Sequence, residues 1–244
     1  MRAGLELACF ALPAAALIVR ARRLAARAAA ASWRVGTAFA SRRAALGPLD
    51  DLIVITDFDG TLTSGTSAQC HDVIGTSERM PPAARENFKP LLDFSSSIPE
   101  GHAYHGERWW VRANQIMIEA RAPRREDLAA MAARFEPRAG AIELLHFLAD
   151  HGVPVLIVSA GCADLIEAVL ARHGVLHSTQ RLSSNRCVWD EATGDLVGMS
   201  PRGPVTSFNK ADTHVRDAEW LAAHARRRSR RVGARDCQDG RRVG

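Results

Sequence analysis

The sequence predicts an α/β fold, a parallel sheet interrupted by an inserted helical cap. Two short β-branched apolar runs, 53–56 and 153–158, read as fully buried strands. Each runs into a polar cluster, Asp57-Phe58-Asp59-Gly60 and Ser159-Ala160-Gly161. From residue 138 onward, helix and strand patterns alternate, which implies parallel pairing through right-handed crossovers. In such a sheet ligands sit outside the carboxyl ends of the strands, where both clusters fall.

In the first strand, Ile53-Val54-Ile55-Thr56 leads into Asp57-Phe58-Asp59-Gly60-Thr61-Leu62-Thr63. Alternate side chains of an extended chain share a face, so Asp57 and Asp59 converge while Phe58 turns into the core. Gly60 lets the backbone leave the sheet without a Cβ clash. Two carboxylates this close require a cation, and Mg²⁺ is the usual one beside phosphate. One carboxylate can attack phosphorus while the other handles a proton. A bare Asp-x-Asp is ordinarily a strand followed by an Asx-rich turn; the whole string argues for chemistry.

The 244 residues are 47% hydrophobic, enough for one substantial core with a small second domain. Residues 1–48 carry eight Arg and one acid, and 226–244 carry eight Arg and two acids. With a net charge of +5, the middle is therefore acidic by about eight charges. Basicity confined to the ends is poor evidence for a nucleic-acid-binding domain. The five cysteines (9, 70, 162, 187, 237) are scattered without a Cys-x-x-Cys pair, and suggest a reducing compartment.

Residues 1–48 form an Arg/Ala-rich extension whose composition fits a transit peptide or an unstructured leader. The apolar run 9–19 is too short to span a membrane comfortably and is broken by Pro13. The core domain takes residues 49–64 and 138–225, with Ser64-Gly65-Thr66-Ser67 as the hinge. Residues 65–137 are predicted as a helical cap: a helix at 83–94, then stripes at Trp109, Trp110, Ala113, Ile116, Met117 and at Leu128, Met131, Ala132, Phe135. Ile142, Leu145 and Leu148 mark a core helix stopped by Gly152, and 163–173 mark another. Short strands follow over 181–198 around a polar turn at 190–195, then a helix over 211–225 and a basic tail, 226–244.

Ser159 offers a hydroxyl, and the N–H groups of Ala160 and Gly161 offer a phosphate cradle; a plain helix-capping serine is the alternative. Lys210 is one of two lysines, with Lys89, in a chain that otherwise writes positive charge as Arg. Its ammonium could neutralise phosphate charge, or simply face solvent.

The string from Asp57 to Thr63 resembles the first motif of the haloacid dehalogenase (HAD) superfamily of aspartate-nucleophile phosphatases. With Cys70-His71-Asp72-Val73-Ile74, Trp109-Trp110, Val158-Ser159-Ala160-Gly161, Ser184-Asn185 and Phe208-Asn209-Lys210, residues 50–225 resemble the pyrimidine 5′-nucleotidase family, also called cytosolic 5′-nucleotidase type III. The resemblance implies a HAD-like Rossmannoid sheet with a helical cap and a Mg²⁺ cofactor. It implies hydrolysis of nucleoside 5′-monophosphates, typically pyrimidine ones, with 7-methylguanosine monophosphate a substrate of some members. By position, Asp57 resembles the nucleophile and Mg²⁺ ligand. Asp59 resembles the general acid/base and binds metal through its backbone carbonyl. Ser159, Ala160 and Lys210 resemble phosphate-binding groups. A cytoplasmic monomer is expected, with no nucleic-acid partner and no stable membrane association; organellar targeting by residues 1–48 is the alternative.

Two features depart from the family pattern. The substrate-selecting Glu of the cap has no clear counterpart; Glu100 is the candidate, then Glu107. The metal-completing Gly-Asp-Ser-x-Gly-Asp strand end is missing: Asp236 and Asp239 stand three apart with no apolar strand to present them. A frameshifted or truncated reading frame would explain both the composition of the tail and the missing motif. A missing strand would expose an unpaired sheet edge. Rival expectations are another HAD phosphomonoesterase, such as a phosphoserine phosphatase, and a truncated homologue that binds without turnover.

Overall fold

A computed structural model describes residues 17–20, 49, 52–92, 107–200 and 203–224. Among these, five strands form one sheet in the order β1-β2-β3-β4-β5. They are β1 (Leu17–Arg20), β2 (Leu52–Thr56), β3 (Val155–Cys162), β4 (Gln180–Trp189) and β5 (Leu196–Ser200). The central three are parallel; β1 lies antiparallel to β2, and β5 antiparallel to β4. The fold class is the predicted α/β one.

Thr56 pairs with Ile157 in the β2–β3 register, so Asp57 and Ser159 leave the sheet at the same edge within two residues. The connection from β3 to β4 is helix α6 (Ala163–Arg172), ended at Gly174 with a φ of 68°. Helix α5 (Ala141–Asp150) precedes β3 and buries Ala141, Leu145 and Leu148. β3 runs on to Cys162, beyond the 158 limit expected, through a register irregularity between Val158 and Cys162. The polar cluster therefore lies on the strand itself rather than after it.

Between β2 and α5 lie α1 (Cys70–Gly75), α2 (Pro82–Leu92), α3 (Arg108–Ala120) and the short α4 (Leu128–Ala132). Phe88, Leu91, Ile116 and Met117 of these helices belong to the same buried cluster as Leu52, Val54 and Phe58 of the sheet. Helix α4 packs on α6. The two chain crossings are bound to each other: Ser64 N–H donates to Glu136 O at 2.8 Å, and Thr63 bridges Pro137. The expected hinge is thus a small antiparallel ladder. Three arginines after α3 grip the β4–β5 turn: Arg121 and Arg124 reach Asp195 at 3.3 and 3.1 Å, and Arg125 reaches Glu191 at 3.0 Å.

Two expectations need correction. Residues 1–48, where no strand was expected, contribute β1, which pairs with β2 on the side away from β3. The helix expected over 211–225 is broken: a 3-10 turn at Lys210–Asp212 precedes α7 (Thr213–Arg216), and helix resumes over 218–224. Asp217 at that break is buried against Arg181, which draws the chain out of helical register.

Phe58 is 1% exposed and meets Phe135 at a ring distance of 5.8 Å, so it anchors the Asp57–Asp59 turn to the inserted segment. Phe58→Ala should cost about 3–5 kcal/mol, and Phe58→Leu roughly 1 kcal/mol, in urea unfolding followed by circular dichroism.

Candidate active site

The turn after β2 is wound around one carbonyl. The N–H groups of Thr61, Leu62 and Thr63 all donate to Phe58 O, at 2.9–3.1 Å. Thr63 Oγ1 accepts from Gly60 N–H at 2.8 Å. Gly60 has a φ of 69°, a left-handed conformation that glycine adopts without strain. Arg138 closes the turn from the far crossing, its Nε donating to Thr61 O at 2.8 Å and its Nη2 to Gly60 O. Held this way, Asp57 and Asp59 cannot swing apart.

Asp57 accepts the Phe58 N–H on Oδ1 at 2.8 Å and the Lys210 ammonium on Oδ2. Both partners of that ion pair keep about a third of their side-chain surface exposed (32% and 33%), so the pair faces an open mouth. The carboxyl of Asp59 lies inward beneath α1. Burial pushes it up to about 7, and the charge of Asp57 pushes the same way; hydrogen bonds from the Cys70 thiol and the Cys70 N–H (3.2 Å) oppose it. Two like-charged oxygens, one of them desolvated, make a group that holds a proton near neutral pH or needs a cation close by.

Ser159 is 1% exposed, and its Oγ accepts the Gly161 N–H at 3.0 Å. The cradle expected there is therefore closed on itself, with Gly161 N–H bonded to the serine. Gly161 is glycine for want of room: a Cβ there would stand 2.6 Å from Cys70 Sγ and 3.2 Å from Asp59 Oδ2. Lys210 is aimed by a turn of its own. Its N–H donates to Thr206 O at 2.9 Å, and Asn209 Oδ1 accepts the Thr206 N–H at 2.8 Å.

Asn185, noted in the sequence only within a motif, ties these parts together. Its Nδ2 donates to Ala160 O (2.9 Å), Gly161 O (3.2 Å) and Val205 O (2.8 Å), while Oδ1 accepts the Val205 N–H at 2.8 Å. One buried amide thus fixes the Ser159–Gly161 segment against Val205, in the irregular stretch that leads to Lys210. No sequence period marks such a residue, because its partners are all backbone atoms.

On the cap side, His71, Trp109, Trp110 and Phe208 form a chain of edge-on rings 4.8, 5.2 and 6.0 Å apart. Phe208 comes from the stretch just before Lys210, so the chain of rings runs from the inserted helices to that turn. Glu107 Oε1 accepts from Asn209 Nδ2 at 3.2 Å, which brings this carboxylate to the same mouth. Glu100, Asp236 and Asp239 lie outside the described residues. Lys210 meets Asp57, and Asp59 lies close to Gly161, which Ser159 and Ala160 precede on β3.

Comparison with known proteins gives one family. The profile described as "Pyrimidine 5'-nucleotidase (UMPH-1)" matches residues 61–230, starting just past the Asp57–Gly60 turn. A 7-methylguanosine phosphate-specific 5'-nucleotidase B of Xenopus laevis is 27% identical over 193 residues, covering 72% of this chain and 64% of the relative. The chicken (Gallus gallus) 7-methylguanosine phosphate-specific 5'-nucleotidase is 25% identical over 184 residues, covering 70% and 63%. The chain thus spans less than two-thirds of the length of these relatives. Among solved structures, cytosolic 5'-nucleotidase IIIB bound to cytidine is 18% identical, with a TM-score of 0.46 over 61% of this chain and 54% of that one.

Two predictions follow from the burial of the site. Asp59 keeps its proton up to about pH 7 in the fold against 3.8 unfolded, so it favours the folded state increasingly as pH falls from 7 towards 4. His71 does the reverse: burial lowers it to about 4 from 6.5, so the unfolded state takes its proton first and stability is lost as pH falls from 6.5 to 4. The two effects, up to roughly 4 kcal/mol for Asp59 and about 3 kcal/mol for His71, oppose one another. In metal-free urea unfolding at pH 7.5 and 5, Asp59→Asn should leave a loss of stability towards acid and His71→Gln a gain. Second, Asn185→Ala should raise KM for a phosphate monoester about tenfold or more in steady-state assays, by releasing the two segments it ties.

Proposed function

Because the chain belongs to the pyrimidine 5′-nucleotidase family, we propose that it is a Mg²⁺-dependent phosphoric monoester hydrolase of the HAD type, splitting nucleoside 5′-monophosphates into nucleoside and phosphate. The observation that carries this reading is the meeting of Lys210 with Asp57, from 153 residues away, over the raised carboxyl of Asp59. A nucleophilic carboxylate, a proton carrier and a cation for phosphate are the three parts that phosphoryl transfer through an aspartate requires.

In this mechanism the monoester enters with its phosphate between Lys210 and the Ser159–Gly161 segment. Asp57 Oδ attacks phosphorus, and the bond to the ribose O5′ breaks. Asp59, a carboxyl that holds its proton near neutrality, gives that proton to O5′. Asp59 then takes a proton from water, whose oxygen attacks the aspartyl-phosphate and frees phosphate and Asp57. Ser159 Oγ exchanges its bond to Gly161 N–H for one to a phosphate oxygen, which opens the Gly161 amide as a second donor.

The donor set fits Mg²⁺, which binds through one or two protein oxygens, substrate phosphate and water. Ionisation of Asp59 costs free energy in its desolvated place, and a hard cation close by would lower that cost. Asp57 through its carboxylate and Asp59 through its backbone carbonyl are the groups that would hold it. When bound, it supplies positive charge against the phosphate oxygens.

Base preference is read from the cap. The Trp110–Phe208 edge offers stacking, which suits a pyrimidine. Glu107 beside those rings favours a second substrate, 7-methylguanosine monophosphate, whose base carries positive charge. The names of the Xenopus and chicken relatives favour the same substrate. Among the described residues no helix is long and apolar enough to cross a membrane, and a cytoplasmic monomer remains our reading.

Phosphate release should be compared for CMP, UMP, 7-methyl-GMP and phosphoserine, with Mg²⁺ and with chelator. A nucleotide should turn over best, chelation should abolish release, and Asp57→Asn should lower kcat by on the order of 10³ or more. Best turnover of phosphoserine would replace this reading with a phosphoserine phosphatase.

A further inference from the structure

Beneath the Ser159–Gly161 segment lie two thiols that neither the reaction nor the motifs use. Cys162 ends β3 and Cys187 belongs to β4; both are buried, and their sulfurs stand 3.4 Å apart. We propose that Cys162 and Cys187 are a reversible oxidation site, and that their disulfide displaces the phosphate-binding segment Ser159–Gly161.

Three observations carry this. A disulfide needs the sulfurs at about 2.05 Å, so closure requires a shift of roughly 1.4 Å in all. β3 has slack there, since its register against β4 is interrupted between Val158 and Cys162. Cys162 follows Gly161 directly, and Gly161 O is held by Ser184 Oγ at 2.9 Å and by Asn185. Movement of the sulfur therefore pulls on the anchors of the cradle. The close Gly161–Cys70–Asp59 contact means that such a pull also reaches the carboxyl of Asp59.

Asp164 stands near both sulfurs, and the trio has the spacing of a metal site. Its carboxylate is already engaged, however. Oδ2 accepts the Cys187 N–H at 2.8 Å, Oδ1 accepts the Trp189 indole N–H at 3.1 Å, and Arg186 lies 3.8 Å away. A carboxylate satisfied in this way, beside a guanidinium, is a poor ligand for a cation, which leaves the two sulfurs to each other.

The oxidant is a peroxide. Cys187 keeps its proton, because the Cys162 sulfur beside it and its burial both push its thiol up. Cys162 lies at the end of the interrupted stretch of β3, the side with slack, and is the sulfur that attacks. Its S–O bond forms as the O–O bond breaks, and the departing oxygen leaves with the thiol proton as water. Cys187 sulfur then attacks Cys162 sulfur; the S–S bond forms, the S–O bond breaks, and the second oxygen leaves as water with the Cys187 proton. Two thiols lose two electrons and one hydrogen peroxide becomes two waters. A dithiol reverses the bond by exchange.

The effect on turnover rests on the phosphatase reading above; the bond itself does not. The full chain would be treated with hydrogen peroxide under chelator, blocked with N-ethylmaleimide and mapped by mass spectrometry without reductant. Hydrogen exchange of the 159–164 peptide would be followed in parallel, and phosphate release from CMP would be read after Mg²⁺ is restored in excess of the chelator. A Cys162–Cys187 cross-link is expected, with faster exchange in that peptide. A loss of about tenfold to a hundredfold in kcat/KM should accompany it and be regained in dithiothreitol. In Cys162→Ser and Cys187→Ser the cross-link and the reversible loss should both disappear. Cross-linking with unchanged exchange, no cross-link after full oxidation of Cys70, or zinc bound at the pair by elemental analysis would each overturn the proposal. A reduced protein inactive on every monoester would count against the phosphatase reading alone.

Discussion

The constraint on which the structure turns is the repulsion between two carboxylates set one residue apart at the end of a buried strand. β2 presents Asp57 and Asp59 together because an extended chain gives alternate residues one face. Their mutual charge is tolerated because Lys210 is delivered to Asp57 and a thiol and an amide are delivered to Asp59. These arrive from two elements, the turn at Lys210 and the start of α1 at Cys70, so the packing between them has to be fixed.

That fixing is done largely by backbone-directed polar side chains. Asn185 ties two carbonyls of the β3 end to Val205, Arg138 holds two carbonyls of the Asp59 turn, and Thr206 with Asn209 shapes the turn before Lys210. The buried amide of Asn185 and the half-buried Arg138 and Asn209 are costly to disturb, since each leaves several polar atoms without partners. Rigidity at the site follows from that cost.

The inserted helices are less separate than a lid on a hinge. They share one apolar cluster with the sheet, their entry and exit strands pair, and their arginines grip the β4–β5 turn. Exposed ion pairs of this kind contribute about 0–1 kcal/mol each, so the shared core does most of the holding. The aromatic chain from His71 to Phe208 then serves as packing at one end and as an open edge at the other, with Phe208 62% exposed.

The α/β class, the Asp57–Asp59 pair, the Ser159 segment and Lys210 were legible in the sequence, because strand burial and alternation are local and write themselves into periodicity and motif. The pairing of β1 with β2, the break at Asp217, Asn185's four bonds and the 3.4 Å approach of Cys162 and Cys187 were not. These depend on which distant backbone atoms meet, and the 25-residue separation of the two cysteines carries no trace of it. Sequence alone marked the candidate groups; only the tertiary structure decided how they are held, because contacts across strands depend on register and packing rather than on spacing along the chain.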